Sequence, residues 1–345
     1  SQYSQHLKIS LGQSEFLSDN GVYYSVTESE CTPSQATLSD IFQNLLGTTT
    51  AASATQKALE SAYAICISQD NSGEAESNTD YLIGPETALG VFWENNLEQS
   101  PLIKRLEYYL QEYPQLKIIV GASTYKMFEE GDVLSQTVRH HAATNRYYDA
   151  YNTALQLDTS GVQLYHKSKL VPGVEMMPFA FVLKNFKSLS VNLGGVSGSL
   201  GSQVERSVFH SEQGQVAPII CYESIYGEYV LDYVRAGANL LTIITNDGWW
   251  KDTPGYRQHL VYASLRAIET RRAIARSANT GTSAFIDALG NITQPTFWFQ
   301  PAVIQKEIPL HKGVTFYTIY GNYIGRLAAF IAVILFFYGI AKREL

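Results

Sequence analysis

Cys221 stands where an apolar run ends and a helix-like pattern begins. Residues 216–220 are apolar enough for a short buried strand, and apolar residues at helical spacing follow within a few positions. The positive end of a helix dipole favours thiolate over thiol, and the unperturbed thiol pKa is about 8.5, so we expect a reactive cysteine. A buried structural cysteine is the alternative, although Tyr222 and Glu223 directly after it are unusual for plain core.

Two further side chains with reactive groups follow predicted strands. Glu86 comes after the strand predicted at residues 81–84, and Lys167 comes shortly after the strand predicted at residues 162–165. Reactive residues of α/β sheets gather where strands end, because side chains there reach a cleft. Glu86 would take the proton of the Cys221 thiol, and Lys167, with a backbone N–H, would hold the oxyanion of a tetrahedral intermediate. Ordinary loop charges are the alternative interpretation.

The strands that position these residues alternate with helices, which favours one α/β layer domain. The apolar patterns predict strands at residues 7–11, 81–84, 117–122, 151–157, 162–165, 216–220, 240–245 and 282–286. They predict helices at residues 38–46, 55–67, 101–113, 226–236 and 258–277. The last of these carries a charged set that we expect to form a solvated or salt-bridged face, namely Arg266, Glu269, Arg271, Arg272 and Arg276.

Composition limits the kinds of partner and ligand. The chain has 345 residues, a formal net charge of −7 and no basic tract, so we expect no nucleic-acid partner. His140 and His141 lie in a predicted polar loop, where adjacent side chains point apart, so we predict neither a metal site nor a cofactor. The three cysteines form no disulfide framework, although Cys31 and Cys66 could pair in an oxidising compartment.

The C-terminal segment is apolar enough to cross a membrane. Residues 327–341 carry no charge, and with residues 323–325 they approach the roughly 20 residues that span a bilayer. Arg326 can snorkel to the interface, and the basic Lys342 and Arg343 place the C-terminus in the cytoplasm and the main domain outside. A buried core helix is the alternative. The predicted organisation is a catalytic domain at 1–312, a linker at 313–322, a transmembrane helix at 323–341 and a cytoplasmic tail at 342–345.

Four motifs occur in order along the chain, and each contains one of the residues discussed above or adjoins a strand end. They are Gly84-Pro85-Glu86-Thr87-Ala88-Leu89, Tyr165-His166-Lys167-Ser168-Lys169-Leu170-Val171-Pro172, Ile220-Cys221-Tyr222-Glu223 and Thr245-Asn246-Asp247-Gly248-Trp249-Trp250. Together they resemble the nitrilase (carbon–nitrogen hydrolase) superfamily, and most of all its apolipoprotein N-acyltransferase branch. The resemblance covers residues 80–345, whereas residues 1–80 match only loosely.

This resemblance implies a nitrilase-like α-β-β-α sandwich, followed here by one C-terminal transmembrane helix. It implies a catalytic triad of Glu86, Lys167 and Cys221. The supporting residues that it implies are Glu175 as a second glutamate near the triad, Tyr222 and Glu223 beside the nucleophile, and Trp249 on a loop over the acyl pocket. Lys169 departs from the family, which usually has histidine there, and the family's N-terminal membrane helices have no counterpart between residues 1 and 81.

The resemblance also implies a reaction and its partners. The branch takes an acyl chain from a phospholipid onto its cysteine as a thioester, and passes it to the α-amino group of the diacylglyceryl-cysteine of an apolipoprotein. The reaction takes place at the outer, periplasmic face of the bacterial inner membrane. A membrane-anchored amidase or nitrilase of the same superfamily, with water as acceptor, is the second hypothesis. A catalytically idle binding domain tethered by one helix is the third.

Overall fold

The computed structural model describes residues 6–13, 79–176, 199–300 and 302–343. The helices predicted at residues 38–46 and 55–67 lie outside these ranges, as do Cys31 and Cys66. The described residues form two β-sheets with helices beside them, and the strands alternate with helices along the chain.

Eight of the described strands form the first sheet. They are β1 (His6–Gln13), β2 (Tyr81–Ile83), β3 (Val91–Trp93), β4 (Lys117–Met127), β5 (Arg139–His141), β6 (Arg146–Asp158), β7 (Gly161–His166) and β14 (Ala302–Pro309). Their order is β14-β1-β2-β4-β6-β5, with β3 paired to β4 and β7 paired to β6. The antiparallel pair β6–β7 confirms the strands predicted at residues 151–157 and 162–165, and β1, β2 and β4 confirm the strands predicted at their positions.

Six of the described strands form the second sheet, in the order β13-β12-β11-β10-β9-β8. They are β8 (Phe209–His210), β9 (Gln215–Ile220), β10 (Leu240–Asn246), β11 (Ile274–Asn279), β12 (Ala284–Ile286) and β13 (Ile292–Thr293). The central strands β9, β10 and β11 are parallel, so their carboxyl ends lie at the same edge. Nearly every residue of these three strands is buried, as expected for parallel strands covered on both faces.

The two sheets share one buried apolar layer. Ile83 and Tyr165 of the first sheet belong to the same cluster as Ile219 and Ile243 of the second. Leu82, the neighbour of Ile83, belongs instead to a second apolar cluster. Because successive side chains of a strand point to opposite faces, the first sheet has an apolar layer on each side.

Helices cover the outer faces of both sheets. The described helices of this part are α1 (Pro101–Glu112), α2 (Gly227–Arg235) and α3 (Pro254–Thr270). Ile103, Leu106 and Leu110 of α1 join the outer cluster of the first sheet. Val230 of α2 and Ala267 of α3 join the cluster that includes the second sheet. The order of layers is therefore α-β-β-α, which confirms the predicted fold class.

The helix predicted at residues 258–277 is wrong in its second half. It ends at Thr270, where Arg271 adopts a left-handed conformation with φ of 52°, and β11 then begins at Ile274. The polar loop predicted around His140 and His141 is also wrong, because both residues lie on β5, an edge strand that pairs with β6. Edge strands carry polar residues at little cost, so the composition there resembled a loop.

The solvated face predicted for the charged residues near the end of α3 is wrong for three arginines. Arg266, Arg272 and Arg276 are buried. Arg266 does pair with Glu269, at 2.9 Å, which agrees with the salt-bridged part of that expectation. Arg272 instead donates to the backbone, with its Nε 2.9 Å from the carbonyl oxygen of Ala238. Buried arginines need such acceptors, because an unpaired buried charge is costly.

The C-terminal segment forms two helices, α4 (Phe316–Tyr320) and α5 (Tyr323–Arg343). Among the described helices, one is long and apolar enough to cross a membrane, the stretch Tyr323–Lys342 with a mean hydropathy of 2.2. None of its most apolar window is buried against the rest of the protein. Within the described part of the chain, this segment is therefore not a buried core helix.

Candidate active site

Three strand ends from the two sheets meet at one place. β2 pairs in parallel with β4, and β7 is antiparallel to β6, which is itself antiparallel to β4. β2 and β7 therefore run in the same direction within the first sheet. Glu86 and Lys167 follow the carboxyl ends of these two strands, and Cys221 follows the carboxyl end of β9. The sheets are joined at this edge, since Oε2 of Glu86 accepts a hydrogen bond of 2.7 Å from the backbone N–H of Asn246 at the end of β10.

The backbone around Glu86 packs tightly on β4. The N–H of Gly121 in β4 donates to the carbonyl oxygen of Pro85 at 3.0 Å. A Cβ atom at Gly121 would collide with the backbone of Glu86 and Thr87, so only glycine allows this approach. Thr87 has a left-handed φ of 54°, which turns the chain away after the glutamate. The Glu86 side chain is thereby buried at the sheet edge and points at its partners in a fixed direction.

Lys167 is a buried ammonium between two carboxylates. Its side chain is 1% exposed, and its Nζ lies 3.1 Å from Oε1 of Glu86 and 2.8 Å from Oε1 of Glu175. Burial alone would lower the pKa of Lys167, but Glu86, the Cys221 sulfur and Glu175 raise it above its ordinary value. The amine therefore stays protonated at neutral pH, and it can stabilise a negative charge that develops beside it.

Asn152 links the two glutamates, and the sequence did not single it out. Its Nδ2 donates to Oε1 of Glu86 at 2.6 Å and to Oε1 of Glu175 at 3.0 Å. Glu175 is also held from the other side, because its Oε2 accepts the backbone N–H of Val171 at 2.8 Å. A polar amide inside the buried part of β6 was the available signal, since such a group needs hydrogen-bonding partners.

Cys221 is a free cysteine, partly exposed, with an unusual backbone conformation. Its φ is 49°, in the left-handed region that non-glycine residues rarely adopt. Burial raises the pKa of the thiol above its ordinary value, Glu86 raises it further, and the ammonium of Lys167 only partly opposes them. The expectation that a helix dipole favours the thiolate is therefore wrong for the resting protein, because burial outweighs the short 3₁₀ turn Cys221–Ile225 that follows.

Glu223 is a fully buried carboxylate that joins the turn after Cys221 to the segment after Lys167. Its Oε1 accepts the backbone N–H of Ser168 at 2.7 Å, and its Oε2 accepts the backbone N–H of Ile220 at 2.9 Å. Further donors are the N–H of Lys169 and the hydroxyls of Tyr165 and Tyr229. Burial raises the pKa of Glu223, and these hydrogen bonds oppose that rise. The carboxylate thus fixes the separation of nucleophile and ammonium.

Of the remaining two predicted site residues, Tyr222 is partly exposed and Trp249 is exposed. The ring of Tyr222 meets the ring of Tyr226 edge-on, with centroids 5.3 Å apart. Trp249 lies in the 3₁₀ turn Asp247–Trp250 at the end of β10 and is 57% exposed. Among the described residues, no hydrogen bond connects Trp249 to the cluster around Lys167.

Together, the five buried or partly buried groups form a site suited to nucleophilic acyl transfer. The thiol of Cys221 is a nucleophile, and Glu86 is a carboxylate able to accept its proton. Lys167 carries the positive charge, with Glu175 and Asn152 holding it and Glu86 in place. In the described part of the chain, no group of three or more His, Cys, Asp or Glu side chains is arranged to hold a metal ion.

A second buried network lies on the other side of Cys221, and it was also missed. Asp247 accepts from Arg276, with Oδ2 2.8 Å from Nη2, and its Oδ1 lies 3.0 Å from Nδ1 of His259. Burial would raise the pKa of Asp247, but Arg276 and His259 lower it to about 2. No signal for this network was available in the sequence, because Arg276 was predicted as part of the charged helix at residues 258–277.

Most of the chain is similar to known proteins. The carbon-nitrogen hydrolase family matches residues 40–315 of the chain. The apolipoprotein N-acyltransferase of Chlorobaculum tepidum is 39% identical over 264 residues, which cover 74% of this chain and 48% of that protein. The apolipoprotein N-acyltransferase of Geobacter metallireducens is 30% identical over 250 residues, covering 72% and 43%. The chain thus spans about half the length of the curated relatives that it matches.

An amidase of the nitrilase superfamily from Nesterenkonia superposes with a TM-score of 0.48 at 14% identity, over 88% of this chain and 91% of that one. The family match covers most of the chain and contains the strands that carry Glu86, Lys167 and Cys221. The chain therefore belongs to the carbon-nitrogen hydrolase family.

Proposed function

We propose that the chain moves a fatty acyl group from a phospholipid, through a thioester on Cys221, to the α-amino group of an N-terminal diacylglyceryl-cysteine of apolipoproteins. The observation that carries this proposal is the buried ammonium of Lys167, held by two carboxylates next to the thiol. The names of the curated relatives, apolipoprotein N-acyltransferase, support the choice of donor and acceptor.

In the first half of the proposed reaction, Glu86 accepts the thiol proton while the Cys221 sulfur attacks the donor's ester carbonyl. The thiol is protonated at rest, because burial raises its pKa, so proton removal must accompany the attack. A C–S bond forms and the carbonyl oxygen becomes an oxyanion, which the ammonium of Lys167 stabilises. The ester C–O bond then breaks, and Glu86 returns its proton to the lysophospholipid oxygen that leaves.

In the second half, the neutral α-amine of the acceptor attacks the thioester carbonyl. A C–N bond forms, the same ammonium stabilises the second oxyanion, and Glu86 accepts a proton from the amine nitrogen. The C–S bond breaks, and the proton returns to the sulfur of Cys221. The two halves share one site, so the donor product leaves before the acceptor binds, and the kinetics are ping-pong.

The other predicted residues have supporting roles in this proposal. Glu175 holds the ammonium of Lys167 on the side away from Glu86. Glu223 fixes the turn that carries Cys221 and Tyr222. Trp249, exposed in its turn, presents an apolar surface of the kind that a lipid chain would contact. Keeping water from the thioester is what separates a transferase from a hydrolase, and apolar side chains near the site favour the former.

The proposal also places the protein at a membrane. Helix α5 has the length and hydropathy to cross a bilayer, with Lys342 at its C-terminal end. By the positive-inside rule we place the C-terminus in the cytoplasm and the catalytic domain, within residues 1–312, on the periplasmic face of the bacterial inner membrane. Residues 313–322 act as the linker, residues 323–341 cross the membrane, and residues 342–345 form the tail.

A mass measurement tests the first half-reaction directly. The full chain in detergent micelles is incubated with phospholipid alone, and the intact mass is expected to rise by one fatty acyl chain on Cys221. Neutral hydroxylamine should remove the adduct, because it cleaves thioesters. In a separate sample of the acylated protein, a diacylglyceryl-cysteine peptide should discharge the thioester and appear as an N-acylated product.

Two results would decide against the transferase. Rapid release of free fatty acid without the peptide would favour a membrane-anchored amidase or nitrilase that uses water. Loading of Cys221 by a small amide, with no loading by phospholipid, would do the same. The variant Cys221→Ala is the matched control, since lipid that associates without a covalent bond would remain on it.

A further inference from the structure

The backbone carbonyl of Cys221 accepts hydrogen bonds from two buried side chains. The hydroxyl Oγ of Ser224 lies 2.7 Å from the carbonyl oxygen, and Nε2 of His259 lies 3.1 Å from it. Ser224 and His259 also contact each other at 2.8 Å. Both residues are buried, so neither contact competes with bulk water. None of the steps proposed above uses either side chain.

The buried network described above fixes the imidazole of His259. Its Nδ1 lies 3.0 Å from Oδ1 of Asp247 and 3.2 Å from Nη2 of Arg276, and both partners are buried. A carbonyl oxygen can only accept, so Nε2 must carry a proton to bond the Cys221 oxygen. Asp247 comes from the turn after β10 and Arg276 from β11, so the imidazole is held by the second sheet.

The direction of the Cys221 carbonyl determines the direction of the next N–H. The two groups belong to one planar peptide unit, and in a trans peptide they point in opposite directions. No cis peptide bond occurs among the described residues. The N–H of Tyr222 is thus directed away from Ser224 and His259. It lies in the first turn of a 3₁₀ helix, where N–H groups have no acceptor within the helix.

The left-handed φ of Cys221 is a conformation that needs external support. A non-glycine residue in this region is strained and persists only where its surroundings hold it. The described contacts that hold this peptide unit are the hydrogen bonds from Ser224 and His259 to the carbonyl. Without them, the backbone of Cys221 could relax toward a negative φ, and that change would reorient the following peptide and the N–H of Tyr222.

We infer that His259 and Ser224 are positioning residues, which hold the Cys221–Tyr222 peptide so that the N–H of Tyr222 faces the oxyanion formed on Cys221. Lys167 stabilises that oxyanion by its charge, and the N–H of Tyr222 supplies a hydrogen bond. Asp247 and Arg276 act one step further away, by holding the imidazole. The inference rests on the proposed function only in that Cys221 must be the acylated nucleophile.

Two reactions of the same thiol separate this role from a general structural one. Acylation by p-nitrophenyl butyrate passes through an oxyanion, whereas alkylation by iodoacetamide replaces iodide at carbon and forms none. In His259→Ala and Ser224→Ala, we expect the acylation rate constant at saturating ester to fall about 10²-fold, as for loss of one oxyanion donor. The alkylation rate, followed through the pH range of thiol ionisation, should stay near that of the wild type.

The variant His259→Gln guards against an effect of misfolding. Its side-chain amide can donate to the Cys221 carbonyl, so it should recover most of the acylation rate that His259→Ala loses. An equal fall of acylation and alkylation, or acylation that is unchanged in both alanine variants, would overturn the inference. Wild-type Cys221 that takes butyryl from the ester but no acyl chain from phospholipid would instead refute only the proposed function.

Discussion

Replacing Lys167 by methionine is the most informative perturbation of the candidate site. The change removes one positive charge from between two carboxylates while keeping an unbranched side chain of similar length. Because the charge is buried, the variant should lose both transition-state stabilisation and folding stability. The two losses can be measured separately.

The magnitude of each loss follows from the geometry around Nζ. At an effective dielectric constant of about 20, the attraction is about 5 kcal/mol to Glu86 at 3.1 Å and about 6 kcal/mol to Glu175 at 2.8 Å. Desolvation offsets much of this attraction, and breaking a buried ion pair costs about 3–5 kcal/mol in practice. We expect the free energy of unfolding to fall by that amount. Loss of an oxyanion donor should slow acylation of Cys221 by about 10²–10³-fold.

The assays are urea unfolding in detergent and acylation of Cys221 followed by mass spectrometry. The matched control is Lys104→Met, the same chemical change at an exposed position of α1. It should leave acylation unchanged and alter the unfolding free energy by no more than about 0.5 kcal/mol. If Lys167→Met acylated at the control's rate, the ammonium could not be the oxyanion stabiliser. If its stability matched the control, the buried ion pairs would not be coupled as described.

Four further predictions concern the nucleophile, the base and the membrane. Cys221→Ala should abolish turnover, whereas Cys31→Ala and Cys66→Ala should remain near wild type in the phospholipid assay. The ordinary thiol pKa is about 8.5. The rate at which iodoacetamide alkylates wild-type Cys221 should keep rising above that pH, because burial raises the pKa of this thiol. Glu86→Gln should slow acylation yet speed alkylation at a given pH, because it removes the base and also a negative charge that raises the thiol pKa. A reporter fused after Leu345 should be active in the cytoplasm, while impermeant thiol reagents should reach Cys221 from outside.

Each of these predictions has a result that contradicts it. Turnover in Cys221→Ala would exclude a covalent mechanism. A plateau of alkylation below the ordinary thiol pKa would mean that the resting thiol is ionised. If the acylation and alkylation rates changed in the same direction in Glu86→Gln, Glu86 could not be both the base and a charge that raises the thiol pKa. Recovery of the full chain in the soluble fraction without detergent would refute the membrane helix.

The strand ends of the site were predictable because each follows a short apolar run bounded by polar residues. Tyr81–Ile83 and Gln215–Ile220 are buried almost throughout, so hydrophobicity alone showed where the strands before Glu86 and Cys221 end. Residue type and position then indicated the chemistry. That these ends meet follows from strand direction, which the sequence does not state but which α/β folds impose.

The parts that sequence reasoning missed depend on partners far apart in the chain. Arg276 looked like the continuation of a charged helix, but in the structure it is buried and its Nη2 donates a hydrogen bond to Asp247, 29 residues earlier. Asn152 gave no sign of its role, since Glu86 lies 66 residues before it and Glu175 lies 23 after it. The resting state of the Cys221 thiol was predicted wrongly for a related reason, as burial is a property of the folded chain.

The uncovered surface of α5 determines how this protein behaves once it is extracted from a membrane. Large apolar side chains are exposed all around the helix, among them Leu335, Phe336 and Phe337. In buffer without detergent, these side chains would associate with those of another copy, because nothing in the described part of the chain covers them. Oligomers observed without detergent would therefore result from the aqueous buffer and would not show the oligomeric state in a membrane. The detergent-to-protein ratio is thus the first variable to fix in any measurement of size or activity.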